Sequence, residues 1–167
     1  MRTYWLGLLA DAYVHTGRIE EGVQVLEEAQ ADMQMRGEYI CAAPFQRWKG
    51  ELALAQSSVQ RLESEVKANQ KSKVKRQKQL SVVSSQLSVP SPQAEAEECF
   101  LKAIEIARRQ GAKALELRAV LSLVRLWQSQ GKQHAARNML SGLYSWFTEG
   151  LDTKDLQEAK ALLAALA

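Results

Sequence analysis

The side chains with recognition chemistry in this sequence are charged groups at helical spacing. Arg118 and Arg125 stand seven residues apart, which places both on one helical face. Two guanidinium groups on one face could pair with the carboxylates of an acidic peptide. Asp11 and Glu51 fall on the same side of the predicted assembly, so the surface is mixed in sign, which favours the alternative of a solvated face. The predicted peptide-binding positions are Asp11, Arg47, Glu51, Arg118 and Arg125, with His15 among the residues on the same side.

Motifs for catalysis or cofactor binding are missing from the sequence. It has no Gly-rich phosphate loop, no H-E-x-x-H, no C-x-x-C and no nucleophile elbow. His15 and His134 stand next to turn glycines without a ligand set nearby, so we predict exposed turn residues. We therefore expect no enzyme activity, no cofactor and no metal. The tryptophans fall on apolar stripes, which predicts core positions for Trp5, Trp48, Trp127 and Trp146.

One segment carries the basic character of the chain. Residues 57–92 hold two acids and seven basic groups, which are Arg61, Lys67, Lys71, Lys73, Lys75, Arg76 and Lys78. Such a run suggests an anionic partner, either nucleic acid or an acidic membrane surface. No aromatic residue interleaves with the lysines, which weakens stacking on single strands. The alternative is a tolerated surface insertion without a task.

Composition indicates a helical protein of one domain. The chain has 167 residues, of which 46% are hydrophobic and 25% charged, and Pro occurs three times. Ala, Leu, Glu, Gln, Lys and Arg dominate, which favours helix. No apolar run of about 18 residues predicts a membrane span, and residues 1–10 do not have the pattern of a signal peptide. Cys41 and Cys99 are predicted to be buried thiols in a reducing compartment, so we expect a cytoplasmic protein.

A repeated helix pair explains the apolar pattern. The positions Ala10, Tyr13 and Gly17 recur at an offset of 114 in residue number, as Val124, Trp127 and Gly131. A middle copy of this first helix, with Gly50, Ala53 and Ser57, stands at an offset of 40. Its second helix, with Ala96, Phe100 and Ala103, stands at an offset of 74 from the second helix of the first copy. The underlying period is therefore 40 in residue number. The second helix of the middle copy is offset by 74 instead of 40, so an insertion of 34 residues lies between the two helices of that copy.

The repeats define the expected layout of a single all-α domain. Repeat 1 spans 1–37, repeat 2 spans 38–57 and 93–111, repeat 3 spans 112–150, and a capping helix with Asp152 as N-cap spans 152–166. Residues 58–92 form a basic, flexible insertion, although Val59, Leu62 and Val66 keep helical spacing and allow the preceding helix to run on. Helical hairpins of this kind stack into a solenoid. The layout predicts that 45–57 packs antiparallel against 92–109 despite the insertion between them.

With these positions side by side, the chain resembles tetratricopeptide (TPR) repeats. The runs "AEAEECFLKAIEIARRQGAKALELRAVLSLVRLWQSQGK" and "YSWFTEGLDTKDLQEAKALL" are similar to repeats at the C-terminal end of bacterial multidomain signalling proteins, which carry a predicted ATPase or a nucleotide cyclase. The resemblance implies a protein-interaction or regulatory module with a protein or peptide partner. No catalytic residue of those parents is carried over. Because Met1 starts almost inside a helix, we also expect a fragment of a longer protein.

Overall fold

The protein is built from helices throughout its described part. The computed structural model describes residues 2–37, 39–71 and 91–166, and for 63–71 only the backbone. Seven α-helices and one 3-10 turn occupy these ranges, which contain no strand, so the all-α class is confirmed. None of these helices combines the length and the apolar character that a membrane span requires. The helices are α1 Arg2–His15, α2 Ile19–Arg36, α3 Ala42–Lys71, α4 Pro92–Arg109, α5 Lys113–Ser129, α6 Gln133–Tyr144 and α7 Lys154–Ala165, with the 3-10 turn at Tyr39–Cys41.

Glycine decides where the first helices of the pairs end. Gly17 follows α1 and Gly131 follows α5, with φ angles of 75° and 76°. This left-handed conformation stops a helix at little cost only where the residue has no Cβ. The equivalent position on α3 is Ser57, which is helical, and α3 runs on to Lys71, as the helical spacing of Val59, Leu62 and Val66 allows. The rest of the predicted flexible insertion, 72–90, lies outside the described residues.

The two halves of the split repeat pack against each other, as the sequence predicts. α3 and α4 form the most extensive helix pair in the described part of the chain. Gly50 of α3 lies against the ring of Phe100 in α4. Further along, the side-chain amide of Gln110 donates to the carbonyl of Tyr39 at 3.0 Å. From the first contact to the second, the residue number rises from Phe100 to Gln110 in one segment and falls from Gly50 to Tyr39 in the other. The two helices are therefore antiparallel. α4 itself starts sharply, because Ser91 caps the amide of Ala94.

The same packing unit occurs at each step along the chain. α1 packs on α2 and on α3, α3 packs on α4 and on α5, and α5 packs on α6 and on α7. Each even-numbered helix also packs on the odd-numbered helix that follows it. The odd-numbered helices α1, α3, α5 and α7 are therefore neighbours in one row, which we call the first-helix row.

The core has two clusters of buried residues, and α3 contributes to both of them. Phe45, Trp48 and Leu52 of α3 join a buried cluster with α1 and α2. Ala53 and Leu54 pack against the larger cluster formed by α4 to α7. One helix with two apolar faces thus links the first pair to the rest of the molecule.

Two carboxylates fix how α4 meets the helices after it. Glu97 accepts from the indole Nε1 of Trp127 at 2.8 Å and from Lys132 at 3.1 Å. Burial raises the pKa of Glu97, but the hydrogen bonds from Trp127 and Lys132 outweigh this effect and the net shift is downward. Glu116 is only 2% exposed and accepts from both Arg108 and Lys113. The hydrogen bond from Arg108 holds the start of α5 to the end of α4.

Three predictions about single residues need correction. Trp5 and Trp146 are 66% and 58% exposed, so only Trp48 and the half-buried Trp127 join the core. Trp146 lies beyond the end of α6 and stacks edge-on against a neighbouring aromatic ring, whereas no described helix covers Trp5. The N-cap of the last helix is Thr153 and not Asp152, because Thr153 is the residue with extended backbone before the helix begins.

Both cysteines are buried thiols, as predicted. Cys41 and Cys99 are not joined in a disulfide. Burial raises the pKa of the Cys99 thiol, which keeps it protonated and unreactive at neutral pH. The two side chains therefore act as small core residues.

Candidate binding groove

Three of the predicted peptide-binding residues form one polar network across the first-helix row. Arg47 on α3 donates to Glu51 one turn later at 2.5 Å, and its other nitrogen lies 3.5 Å from a carboxylate oxygen of Asp11 on α1. Ser122 on α5 then donates its hydroxyl to the same Glu51 oxygen at 2.8 Å. The side chains of Arg47 and Glu51 are only 16% and 17% exposed. The network therefore ties three neighbouring helices together rather than projecting free charge.

The remaining two arginines are paired with the last helix. Arg118 donates through Nε to Asp155 on α7 at 2.7 Å. Arg125 lies seven residues further along α5 and forms an ion pair with Glu158, which is also on α7. The arginine side chains are 48% and 50% exposed. α7 thus supplies the two carboxylates that an acidic peptide would otherwise offer to these arginines.

A cavity of about 440 Å³ opens between the C-terminal part of α1, the middle of α3, and parts of α4 and α5. Its apolar wall includes Leu54, Phe100 and Leu126, and its polar wall includes His15, Glu51 and Arg125. Serine hydroxyls from α3 and α5 stand between these groups. We call this space the groove cavity. Its volume matches the lower range of cavities that hold a small molecule or a few peptide side chains.

The groove cavity combines an apolar floor with a polar rim. Glu51 accepts hydrogen bonds from Arg47 and Ser122 through one of its two carboxylate oxygens. Within the described ranges, no group of three or more His, Cys, Asp or Glu side chains could hold a metal ion. What remains is an apolar floor rimmed by hydroxyls, one imidazole and one guanidinium. That combination suits an extended peptide with an apolar side chain.

Of the positions predicted for peptide binding, Glu51 and Arg125 line the groove cavity together with His15. Asp11, Arg47 and Arg118 do not line it, and the partners of these side chains were not anticipated from the sequence. Ser122, Asp155 and Glu158 were not singled out, although Ser122 lies on α5 between the two arginines. The available signal was helical spacing, since Asp155 and Glu158 stand three residues apart and share one face of α7. The ion pairs themselves depend on how α7 docks, which the sequence pattern alone does not specify.

Comparisons with known proteins give no further identification. No protein-family model matches the chain, and no curated protein and no solved structure matches it. The case for a function therefore depends on the helices, the polar network and the groove cavity.

Proposed function

We propose that this chain is a TPR-like protein-interaction module that binds a peptide segment of a partner in the groove cavity. The observation that carries the proposal is the position of this cavity on the first-helix row, where three helices of equivalent repeat position contribute to one concave, mixed apolar and polar wall. Stacked helix pairs use such surfaces to bind extended segments.

The regular offset between equivalent helices supports the TPR-like assignment. Offsets of 40 and 114 in residue number relate α1 to α3 and to α5, and these three helices are neighbours in the row. Each is followed by a second helix packed against it and against the next first helix. A stack of such hairpins buries a continuous core between its units, which is why three units suffice for a stable module.

The setting of the module is a further part of the proposal. The resemblance to the C-terminal ends of bacterial signalling ATPases and cyclases suggests a regulatory role in an assembly of that kind. The basic segment 58–92 carries the alternative of nucleic-acid or anionic-membrane binding. Its residues 58–71 belong to α3, and its most basic part lies outside the described residues.

A selected peptide ligand tests the proposal. A randomised peptide library is screened against the immobilised chain, and the affinity of the best binders is measured by fluorescence anisotropy. Ser58→Trp places an indole at the rim of the groove cavity, and Ser141→Trp makes the same change on exposed α6. Both serines are exposed helix residues that donate to a backbone carbonyl within the preceding turn, so they are well matched. We expect Ser58→Trp to weaken binding at least tenfold, about 1.4 kcal/mol, and Ser141→Trp to leave it unchanged.

Two results would count against the groove cavity as the binding site. The first is a set of binders whose affinity Ser58→Trp does not change. The second is a chain that selects no peptide but binds duplex DNA or anionic vesicles in a salt-sensitive way, with that binding lost when 72–90 is deleted. The second result would favour the alternative function.

A further inference from the structure

One arginine of the groove cavity has its ionic partner outside the cavity. Arg125 lies on α5 and lines the cavity beside Leu126. Its guanidinium also forms an ion pair with Glu158 of α7, which does not line the cavity. The side chain of Arg125 is 50% exposed and that of Glu158 is 30% exposed. A positive charge that faces the binding space is therefore balanced by a carboxylate that a ligand need not touch.

The packing of α7 holds Glu158 in this place. α7 is the last member of the first-helix row, and it packs on α6 and on α5. Leu156 and Ala159 on either side of Glu158 in the sequence are 3% and 0% exposed, and both belong to the larger core cluster. Because these neighbours are buried, the backbone that carries Glu158 is anchored to the core. The ion pair with Arg125 is thus set by helix packing.

The charges of the cavity are balanced before a ligand binds. Glu51 and Arg125 line the cavity and have opposite signs. Arg47 pairs with Glu51, and Glu158 pairs with Arg125. The charges of these two guanidinium and two carboxylate groups cancel. A ligand segment without charge matches this arrangement, because a charged group that is buried there without a partner of its own would cost free energy.

We infer that Glu158 determines the charge preference of the groove cavity and directs it towards uncharged peptide segments. The inference rests on the proposed peptide-binding function. Glu158 acts through Arg125, because a ligand carboxylate has to compete with Glu158 for the guanidinium and gains only the difference between two similar ion pairs. Without this carboxylate, Arg125 presents an unbalanced positive charge to the cavity. The preference then changes towards a peptide with an acidic residue beside Arg125.

The other ion pair between α5 and α7 provides a matched control. Arg118 donates to Asp155 at 2.7 Å, and the two side chains are 48% and 31% exposed, close to the values for Arg125 and Glu158. Arg118 does not line the groove cavity. Asp155→Asn and Glu158→Gln therefore remove the same charge from the same helix. Only Glu158→Gln changes the partner of a guanidinium that faces the cavity.

Pairs of peptides that differ only in charge measure this preference. The strongest binder that the wild-type chain selects from the peptide library is the parent, and each of its residues is replaced in turn by Asp and by Asn. Fluorescence anisotropy then gives the ratio of the Kd of the Asp peptide to the Kd of the Asn peptide at every position. The ratio is measured for the wild-type chain, Glu158→Gln and Asp155→Asn. Because Asp and Asn have nearly the same shape, the ratio reports charge rather than apolar contact.

The expected result is a change confined to the peptide position that lies beside Arg125. There, Glu158→Gln should lower the ratio of the two Kd values about three- to fivefold, which is the range of a half-exposed ion pair. Asp155→Asn should leave the ratio at that position unchanged. When Arg125→Gln is added, the effect of Glu158→Gln should disappear, because no guanidinium remains to bind the carboxylate. A thermal scan of each variant checks that the fold is kept, since half-exposed ion pairs contribute little to stability.

Three outcomes would overturn the role of Glu158. If Glu158→Gln left the ratio unchanged at every position while Ser58→Trp still weakened binding, Glu158 would have no such role and the proposed function would stand. An equal change in Asp155→Asn, or an effect that persists beside Arg125→Gln, would show that the charge acts at a distance and not through Arg125. If no peptide were selected, or if Ser58→Trp did not weaken binding, the proposed function itself would fail and the role of Glu158 would fail with it.

Discussion

Replacing Gly50 by Ala tests the contact on which the split repeat depends. A Cβ built on Gly50 would come within 2.6 Å of a ring carbon of Phe100 and within 2.9 Å of a second one. Real Cβ atoms do not approach carbon so closely, so either the ring or the helix must move. Phe100 is fully buried, and close packing around it leaves the ring little room to shift.

The expected size of the effect is the difference between two opposing terms. Alanine improves the helix by about 0.5–1 kcal/mol relative to glycine. Overpacking a well-filled site costs about 1–3 kcal/mol, and the approach at Gly50 belongs to the upper part of that range. We expect a net loss of about 1–2 kcal/mol in the free energy of unfolding. For a domain of this size, that corresponds to a Tm lower by about 2–8 °C.

The assay is urea unfolding followed by far-UV circular dichroism, together with a thermal scan. Gly142→Ala on α6 is the matched control, because a Cβ there meets nothing within 4 Å. It should stabilise the chain by about 0.5–1 kcal/mol through helix propensity alone. Combining Gly50→Ala with Phe100→Leu closes a double-mutant cycle. The coupling should be at least about 1 kcal/mol, because the smaller side chain makes room for the new methyl group.

Stabilisation by Gly50→Ala as large as that by Gly142→Ala would contradict the contact with Phe100. The backbone of α3 would then not approach Phe100, and α4 would not be the partner of α3. If the double-mutant cycle showed no coupling, the loss of stability caused by Gly50→Ala would not come from its contact with Phe100. Either result would remove the main support for a repeat whose two helices are joined through a long insertion.

Three further changes have expected outcomes. Burial raises the pKa of Glu116, but hydrogen bonds from Arg108 and Lys113 outweigh this and hold it below the ordinary 4.5. The stability that Glu116 contributes is therefore fully present above about pH 4.5 and is lost as the pH falls through the lower pKa of the folded state. In urea unfolding, Glu116→Gln should weaken this dependence of stability on pH and lower the free energy of unfolding by about 1–3 kcal/mol at pH 7. Arg125→Ala removes a half-exposed ion pair, so unfolding in urea should change by less than about 1 kcal/mol. Thr153 makes no side-chain cap bond, and Thr153→Ser should raise stability by about 0.5 kcal/mol in thermal scans if a less restricted hydroxyl caps α7.

Much of the fold could be predicted because its signals are local and periodic. Small residues at Ala10, Gly50 and Ala96 mark the faces where helices approach, and the repeat offset of 40 in residue number relates Ala10 to Gly50. Gly17 and Gly131 mark turns because only glycine adopts their backbone without strain. These features act within one or two turns of helix, so the sequence alone carries them.

The features that sequence reasoning missed depend on contacts between distant segments. An apolar stripe on α1 looks the same whether or not another helix covers it, which is why Trp5 was expected in the core. The end of α3 could not be fixed from the sequence, because Ser57 allows a helix to continue where a glycine would have stopped it. The ion pairs of Arg118 and Arg125 require the position of α7, and that position follows from packing rather than from spacing. The sequence therefore supplies candidate positions, of which only some line the groove cavity, and it does not supply the polar network that joins them.

The pairing of charges along the first-helix row limits what kind of ligand the groove cavity can prefer. Arg47 is engaged by Glu51 and lies near Asp11, and Arg125 is engaged by a carboxylate of α7. An acidic peptide would have to displace a carboxylate that is already in place, so its gain is only the difference between two similar ion pairs. Burial of an apolar side chain against Leu54 and its neighbours needs no such exchange and contributes about 25 cal/mol for each Å² removed from water. Selectivity in the cavity should therefore come from shape and apolar contact, with the charges fixing the helices that form its wall.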